Sequence, residues 1–268
     1  MLLSFDLDGV LMENPFAKGV FPEIRDKISR WHLSCKGREL SEDEIGELIR
    51  EEFRRCWQQE AYRAYDWDRI ISRVLDRLEL NRTIDVVELV EKYCREPYIH
   101  RYPDGKKILD WLERFDIPLM VITNGFYRYQ YPVLQALKLA DYFSEIITSD
   151  IARAAKPEPA SFPVPEERKE GWYHIGDSLL MDVAGAGNLG ARTVYVNREL
   201  PENFRKLSPE ERPGTERGRS FIRKMLKEEK RRYQIGDRQE PVKPDYAVFS
   251  LLELQDILTG EHYLEREF

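Results

Sequence analysis

Met1-Leu2-Leu3-Ser4-Phe5-Asp6-Leu7-Asp8-Gly9-Val10 carries an apolar run into two carboxylates, one residue apart, and then into a glycine. A short apolar run that ends in polar turn residues reads as a buried strand. Alternation along an extended chain sends Asp6 and Asp8 to one side and Leu7 to the other. Two acids side by side repel, and burying them is costly unless a cation or a proton sits between them. The pair therefore predicts a metal site or an acid/base couple. A bare D-x-D otherwise reads as a solvated turn; the apolar lead-in and Gly9 favour the functional reading.

The chain has 268 residues, enough for one large domain or two smaller ones. With 42% hydrophobic and 12% aromatic residues it can fill a sizeable core, which argues against disorder. A net charge of -7 argues against general binding to nucleic acid or to an anionic membrane surface. No apolar stretch approaches the length of a membrane span. The first strand is expected to start at Met1, and on that reading no targeting peptide is expected before it. Cys35, Cys56 and Cys94 are odd in number and widely spaced, and match neither a metal pattern nor a disulfide framework. A cytoplasmic setting is expected.

After the opening strand, helical periodicity takes over. Glu23 to Leu33 reads as one amphipathic helix. Ser41 and Glu44 form a capping box that opens a long helix with Ile45, Leu48, Ile49, Phe53, Cys56 and Trp57 at helical spacing. Trp67 to Leu80 and Ile84 to Arg95 give two more. Residues 13–99 thus read as an all-helical insertion, with 1–12 and 100–268 as the surrounding domain. From about residue 104 helices and strands alternate. Strands are expected at Ile117 to Thr123, Glu145 to Thr148, Gly171 to Ile175, Arg192 to Val196 and Tyr246 to Phe249. Strands separated by helices predict a doubly wound parallel sheet in an α/β domain, with ligands beyond the carboxyl ends of the strands. Asp6, Asp8, Thr123, Asn124 and Asp177 stand at those ends, and Lys156 lies in a loop near them.

These residues resemble the haloacid dehalogenase-like (HAD) hydrolase superfamily. Phe5-Asp6-Leu7-Asp8-Gly9-Val10 is similar to its first motif and Ile122-Thr123-Asn124-Gly125 to its second. Lys156-Pro157-Glu158-Pro159 is similar to its third, and Ile175-Gly176-Asp177-Ser178 with Asp182 to its fourth. Four motifs in order are specific where any one is weak. The resemblance implies a Rossmann-like core and a Mg²⁺-dependent phosphatase that forms an aspartyl-phosphate. It makes Asp6 the nucleophile and Asp8 the general acid and base. Thr123, Asn124 and Lys156 would bind the phosphoryl group. Asp6, the Asp8 carbonyl and Asp177 would hold Mg²⁺, with Asp182 supporting the metal from behind. An Asp at position 8 favours phosphoryl transfer over carbon–halogen cleavage. The helical block resembles a C1-type cap, which suits a small phosphorylated substrate. A phosphomutase on the same core, or a binding or regulatory protein that has lost catalysis, are the alternatives.

Several features stand outside this pattern. The stretch after Lys156 is short and proline-rich, and is expected to be a loop or a single turn. An insertion of about residues 198–243 holds 14 Lys/Arg against 9 Asp/Glu. It reads as a solvated surface elaboration, with a partner-binding or substrate-gating role at the active-site rim as the alternative, and with a helix from Phe221 to Tyr233 carrying Ile222, Met225 and Leu226 on one face. Gly185-Ala186-Gly187-Asn188-Leu189-Gly190 fits G-x-G-x-x-G but closes a helix rather than opening one, so a dinucleotide role is discarded. His32, His100, His174 and His262 show no metal or triad spacing, and His174 reads as structural. In the cap, Arg54, Arg55, Tyr62 and Arg63 are candidate substrate contacts, though each alone reads as part of a solvated face. The aromatic residues Trp31, Trp57, Tyr62, Tyr65 and Trp67 read as core.

Overall fold

The computed structural model describes residues 1–233 and 242–260. A six-stranded parallel sheet forms the centre, built from β1 (Leu2–Phe5), β4 (Leu119–Thr123), β5 (Glu145–Thr148), β6 (Trp172–Gly176), β7 (Arg192–Val196) and β8 (Tyr246–Val248). Their order across the sheet is β5-β4-β1-β6-β7-β8. The apolar lead-in of the first motif is thereby explained: β1 is wholly buried, paired with β4 through Leu3↔Leu119 and with β6 through Leu3↔Tyr173. Parallel strands covered on both faces read as continuous apolar runs, as β4 and β6 do. The chain winds outward from β1 through β4 to β5, then returns to β6 on the other side of β1. The order reverses at β1 and β6, and such a switch point opens a crevice beyond the strand ends.

Two short strands, β2 (Met12–Glu13) and β3 (His100–Arg101), pair antiparallel at Met12↔Arg101 and Glu13↔His100. Between them lie α1 (Phe21–Lys36), α2 (Glu42–Gln59), α3 (Trp67–Arg77) and α4 (Val86–Tyr93). The capping box at α2 is present in both directions: Ser41 accepts from the Glu44 backbone N–H, and the Glu44 carboxylate accepts from the Ser41 N–H. Asp66 and Asp85 cap α3 and α4 in one direction, accepting from the Arg69 and Glu88 N–H groups, so each of the three helices starts on a polar side chain that satisfies a free N–H. The helical block shares a continuous apolar core with one face of the sheet through Phe16, Val20, Ile24 and Ile70. On the sheet side, α5 (Pro103–Leu112) and α6 (Tyr127–Ala136) follow β3 and β4. After Lys156 the chain makes two short helical turns rather than one, Pro159–Ser161 and Glu166–Lys169, and between them buries Phe162 and Val164 against Trp172 and Ala186.

The insertion corrects its reading as a solvated elaboration. Its helix, α7 (Glu216–Tyr233), buries Ile222 among Leu179, Val183, Tyr195, Leu200 and Ala247. Arg212 is 3% exposed; it donates to the Phe204 and Ala247 carbonyls and to both carboxylate oxygens of Glu253. The amphipathic stripe of α7 was legible, but a helix rich in Lys and Arg still docks when one apolar face finds a partner. The rest of this insertion up to residue 241, and His262, lie outside the described residues.

Candidate active site

The crevice at the switch point holds a cavity of about 320 Å³. All seven residues expected at the site, Asp6, Asp8, Thr123, Asn124, Lys156, Asp177 and Asp182, line it. They come from the carboxyl ends of β1, β4 and β6 and from the loop after β5, as a parallel sheet dictates.

Gly9 sets the first carboxylates. It has φ of +80° and donates to the Met12 carbonyl at 3.0 Å, which turns the chain just beyond Asp8. A Cβ on Gly9 would stand 2.2 Å from Asp177 Oδ2, so glycine is required both for the turn and for the approach of Asp177. Asp8 accepts from the Gln130 amide at 2.8 Å, while its other oxygen is buried with no well-formed hydrogen bond among the described residues. Burial, only partly offset by Gln130, pushes the Asp8 carboxyl up to about 6.

Lys156 is the electrostatic hub. Its Nζ lies 2.8 Å from Asp6 Oδ1 and 2.6 Å from Asp182 Oδ1, and the residue is 2% exposed. Burial alone would lower the ammonium, but the charges of Asp182 and Asp6 outweigh it and hold Lys156 above its ordinary range. Asp182 is the most tied carboxylate. It also accepts from His174 Nε2 at 3.0 Å and from the Ser178 backbone N–H at 3.0 Å. Against its burial, Lys156 and His174 hold it below the ordinary carboxylate range. Asp6 is raised instead, chiefly by burial, with Lys156 working the other way. Asp177 stands at the exposed rim of the cavity and is raised well above its ordinary value by the crowding of surrounding atoms and by the repelling charges of Asp6 and Asp182.

Carboxylate oxygens of Asp6, Asp177 and Asp182 all lie within 4.8 Å of one another. That spacing, the hard oxygen donors and the surplus of negative charge fit a divalent cation of the Mg²⁺ type. Asp182 already accepts three hydrogen bonds, so Asp6 and Asp177 are the carboxylates with room for an ion. Asn124 has its side chain engaged: Oδ1 accepts from the Lys156 N–H at 2.7 Å, and Nδ2 donates to the Lys156 carbonyl and to the Tyr65 hydroxyl. It holds the Lys156 loop in place. Thr123 accepts weakly from the Gly125 N–H at 3.4 Å and lines the cavity.

Some participants escape a reading of the motifs. His174 is buried, as a structural histidine would be, and it also bonds Asp182, with its Nδ1 meeting Ser4 Oγ at 2.8 Å. Gln130 orients Asp8 from α6. Tyr65 and Trp67, read as core, form walls of the cavity. Of the cap candidates, Arg55 pairs with Glu52, Arg63 pairs with Glu60, and Tyr62 stacks on Phe126. The acidic Glu229 of the insertion reaches the site from α7. It accepts from the Ser178 hydroxyl at 2.8 Å and from the Leu179 and Leu180 N–H groups, both at 2.9 Å. A carboxylate on the first N–H groups of a helical segment is favoured by their partial positive charge.

No helix among the described residues is long and apolar enough to cross a membrane. The family model described as haloacid dehalogenase-like hydrolase matches residues 1–190. A phosphoserine phosphatase of Thermus thermophilus is 32% identical over 47% of this chain and 53% of its own length. A glyceraldehyde 3-phosphate phosphatase of Pyrococcus abyssi is 29% identical over 37% of this chain and 43% of its own. The chain therefore spans about half the length of the curated relatives it matches. A solved HAD phosphatase from Thermococcus onnurineus is 26% identical, covers 97% of this chain and 98% of its own, and gives a TM-score of 0.65. A 2-haloacid dehalogenase from Pseudomonas syringae shares the fold at 20% identity, with 97% and 98% coverage and a TM-score of 0.58. With the four motifs gathered on one cavity and a family model matched over residues 1–190, this chain belongs to the haloacid dehalogenase-like hydrolase family.

Proposed function

We propose that the protein is a phosphatase of phosphorylated metabolites that works through an aspartyl-phosphate on Asp6. The observation that carries this reading is the meeting of Asp6, Asp8, Thr123, Lys156 and Asp177 on one cavity, from strands far apart in sequence. The names of the relatives, all phosphatases in the two cases above, support the same reaction class.

Mg²⁺, when bound by Asp6, Asp177 and the Asp8 carbonyl, supplies a hard Lewis acid for the phosphoryl oxygens. Asp182 stands behind this set and fixes Lys156. The Asp6 carboxylate attacks phosphorus; Lys156 keeps it ionised and neutralises the charge that gathers on the phosphoryl oxygens. Thr123 and the backbone N–H groups beside it bind those oxygens. Asp8, raised to about 6 by burial, keeps a protonated fraction up to neutrality, and that form gives its proton to the leaving oxygen. Gln130 holds it at the angle for that transfer. The Asp8 carboxylate so formed then takes a proton from the water that hydrolyses the acyl phosphate.

Helices α1 to α4, joined to the core by the β2/β3 ribbon, act as a cap of the C1 type. Phe16, Phe21, Tyr65 and Trp67 are among the residues it presents to the leaving group. Turnover of p-nitrophenyl phosphate, measured with and without EDTA and then on adding back Mg²⁺, tests the reading. Release of inorganic phosphate that stops with EDTA and returns with Mg²⁺ is expected. No release under any condition overturns it, and isomerisation of a sugar phosphate without release assigns a mutase instead.

A further inference from the structure

A second cavity, of about 570 Å³, lies between α1, α2 and α7. It adjoins the catalytic cavity: Phe21, Tyr65, Trp67 and Tyr233 line both. Beyond this aromatic neck the walls are of two kinds. Ile49 and Phe53 supply an apolar surface, and Arg25, Arg50, Arg54 and Arg231 supply four guanidinium groups. No carboxylate lines the cavity among the described residues. In a chain with a net charge of -7 this is a concentrated positive site.

The counter-ions stand outside it. Arg50 and Arg54 pair with Glu47, whose side chain is 48% exposed, and Arg25 lies 3.4 Å from Glu42, which is 80% exposed. Exposed pairs of this kind contribute little and exchange readily. Arg25 Nε is shielded from water, and the acceptor it meets is Glu42 Oε2 at 3.4 Å, too long for a well-formed hydrogen bond. A shielded donor so weakly engaged would gain from a ligand oxygen placed closer to it. Aromatic faces at the neck suit a flat body, and guanidinium groups suit a carboxylate or phosphate with bidentate bonds.

We propose that this cavity is the distal subsite of the catalytic one. It selects phosphomonoesters whose leaving group has a flat, apolar body and ends in a second anionic group. The proposal rests on the phosphatase reading above. Such a substrate would put its phosphoryl group on Asp6, lay its body along the wall made by Trp67 and the hydrogen-bonded pair Tyr65 and Tyr233, and set its distal anion among Arg25, Arg50 and Arg54. A two- or three-carbon phosphoester would fill only the first cavity.

The test uses the full chain and matched aryl phosphates. Their para side chain, in two lengths, ends either in a carboxylate or in the corresponding amide. Plain p-nitrophenyl phosphate is run beside them. The carboxylate is expected to exceed the amide in kcat/KM by on the order of tenfold or more, mainly through KM. The ratio should fall towards one at high salt on the unaltered protein, and in the Arg50→Gln/Arg54→Gln double variant. Arg231→Gln, on the exposed side of α7, should lower it in part if the double variant does not fold. Turnover of all the compounds with a ratio near one at low salt overturns the subsite and leaves the phosphatase reading standing. No turnover of any compound overturns both.

Discussion

Glu229 accepts a 2.8 Å hydrogen bond from the hydroxyl of Ser178, 51 residues earlier in the chain. It thereby ties the last turns of α7 to the residue that follows Asp177. Its carboxylate also covers the Leu179 and Leu180 N–H groups. The loop that carries Asp177 is thus held by an element outside the four motifs. Glu229→Ala leaves three donors without their acceptor and is expected to cost about 1–3 kcal/mol of stability. The Mg²⁺ concentration for half-maximal activity should rise severalfold, while Glu229→Gln, which keeps an acceptor, recovers part of it. Thermal denaturation and Mg²⁺ titration of activity check both effects; unchanged metal dependence in Glu229→Ala would show that α7 is only packed there.

Lys156 is buried between two carboxylates, so its removal strands charge rather than merely deleting a contact. Lys156→Met is expected to lose about 3–5 kcal/mol of stability, the range for breaking a buried pair. It should also lower kcat by on the order of 10²–10³, the usual loss of one oxyanion-type donor. Denaturant unfolding and steady-state kinetics measure the two separately.

Asp8 makes the pH dependence testable. Its folded value of about 6 lies above the ordinary 3.8. Below about pH 4 both folded and unfolded forms carry the proton, and the group costs nothing. Between about 4 and 6 the unfolded chain has lost the proton and the folded one keeps it, so this contribution to stability declines as pH rises. For catalysis the protonated form is needed in the first step. Single-turnover release of the leaving group should therefore fall as pH rises through about 6. Gln130 hydrogen-bonds the Asp8 carboxylate and lowers its value, so Gln130→Leu is expected to move that limb to higher pH. A limb that does not move would remove Gln130 from the role given to it.

Gly9 offers a steric test of the metal site. Gly9→Ala puts a methyl 2.2 Å from Asp177 Oδ2 and strains a φ of +80°. Asp177 must swing away, so activity at saturating Mg²⁺ is expected to fall at least tenfold with the sheet intact by circular dichroism.

The sheet and its rim were legible because the signals are local. The apolar run before Asp6, the Thr148 end of β5 and both ends of β7 can be read in windows of a few residues. The same holds for the α2 capping box, whose partners are three residues apart. Contacts made by distant residues were not. Glu229 stands in the run Lys227-Glu228-Glu229-Lys230, which reads as a solvated helix face. Only the docking of Ile222 turns one of its acids inward. His174 sits within a buried strand, and its tie to Asp182 depends on the turn at Ser178. Tyr65 and Trp67 have the hydrophobicity of core residues, and only the juxtaposition of helical block and sheet leaves them facing a cavity.

Covalent capture of the phosphoryl group on Asp6 tests the central claim most directly. A ³²P-labelled aryl phosphate is mixed with the enzyme and Mg²⁺, quenched in acid within milliseconds, and the labelled peptide is mapped. The account predicts acid-stable, hydroxylamine-labile label on the peptide that carries Asp6, and neither label nor turnover in Asp6→Asn. Full turnover by Asp6→Asn, or label on another residue, would contradict it.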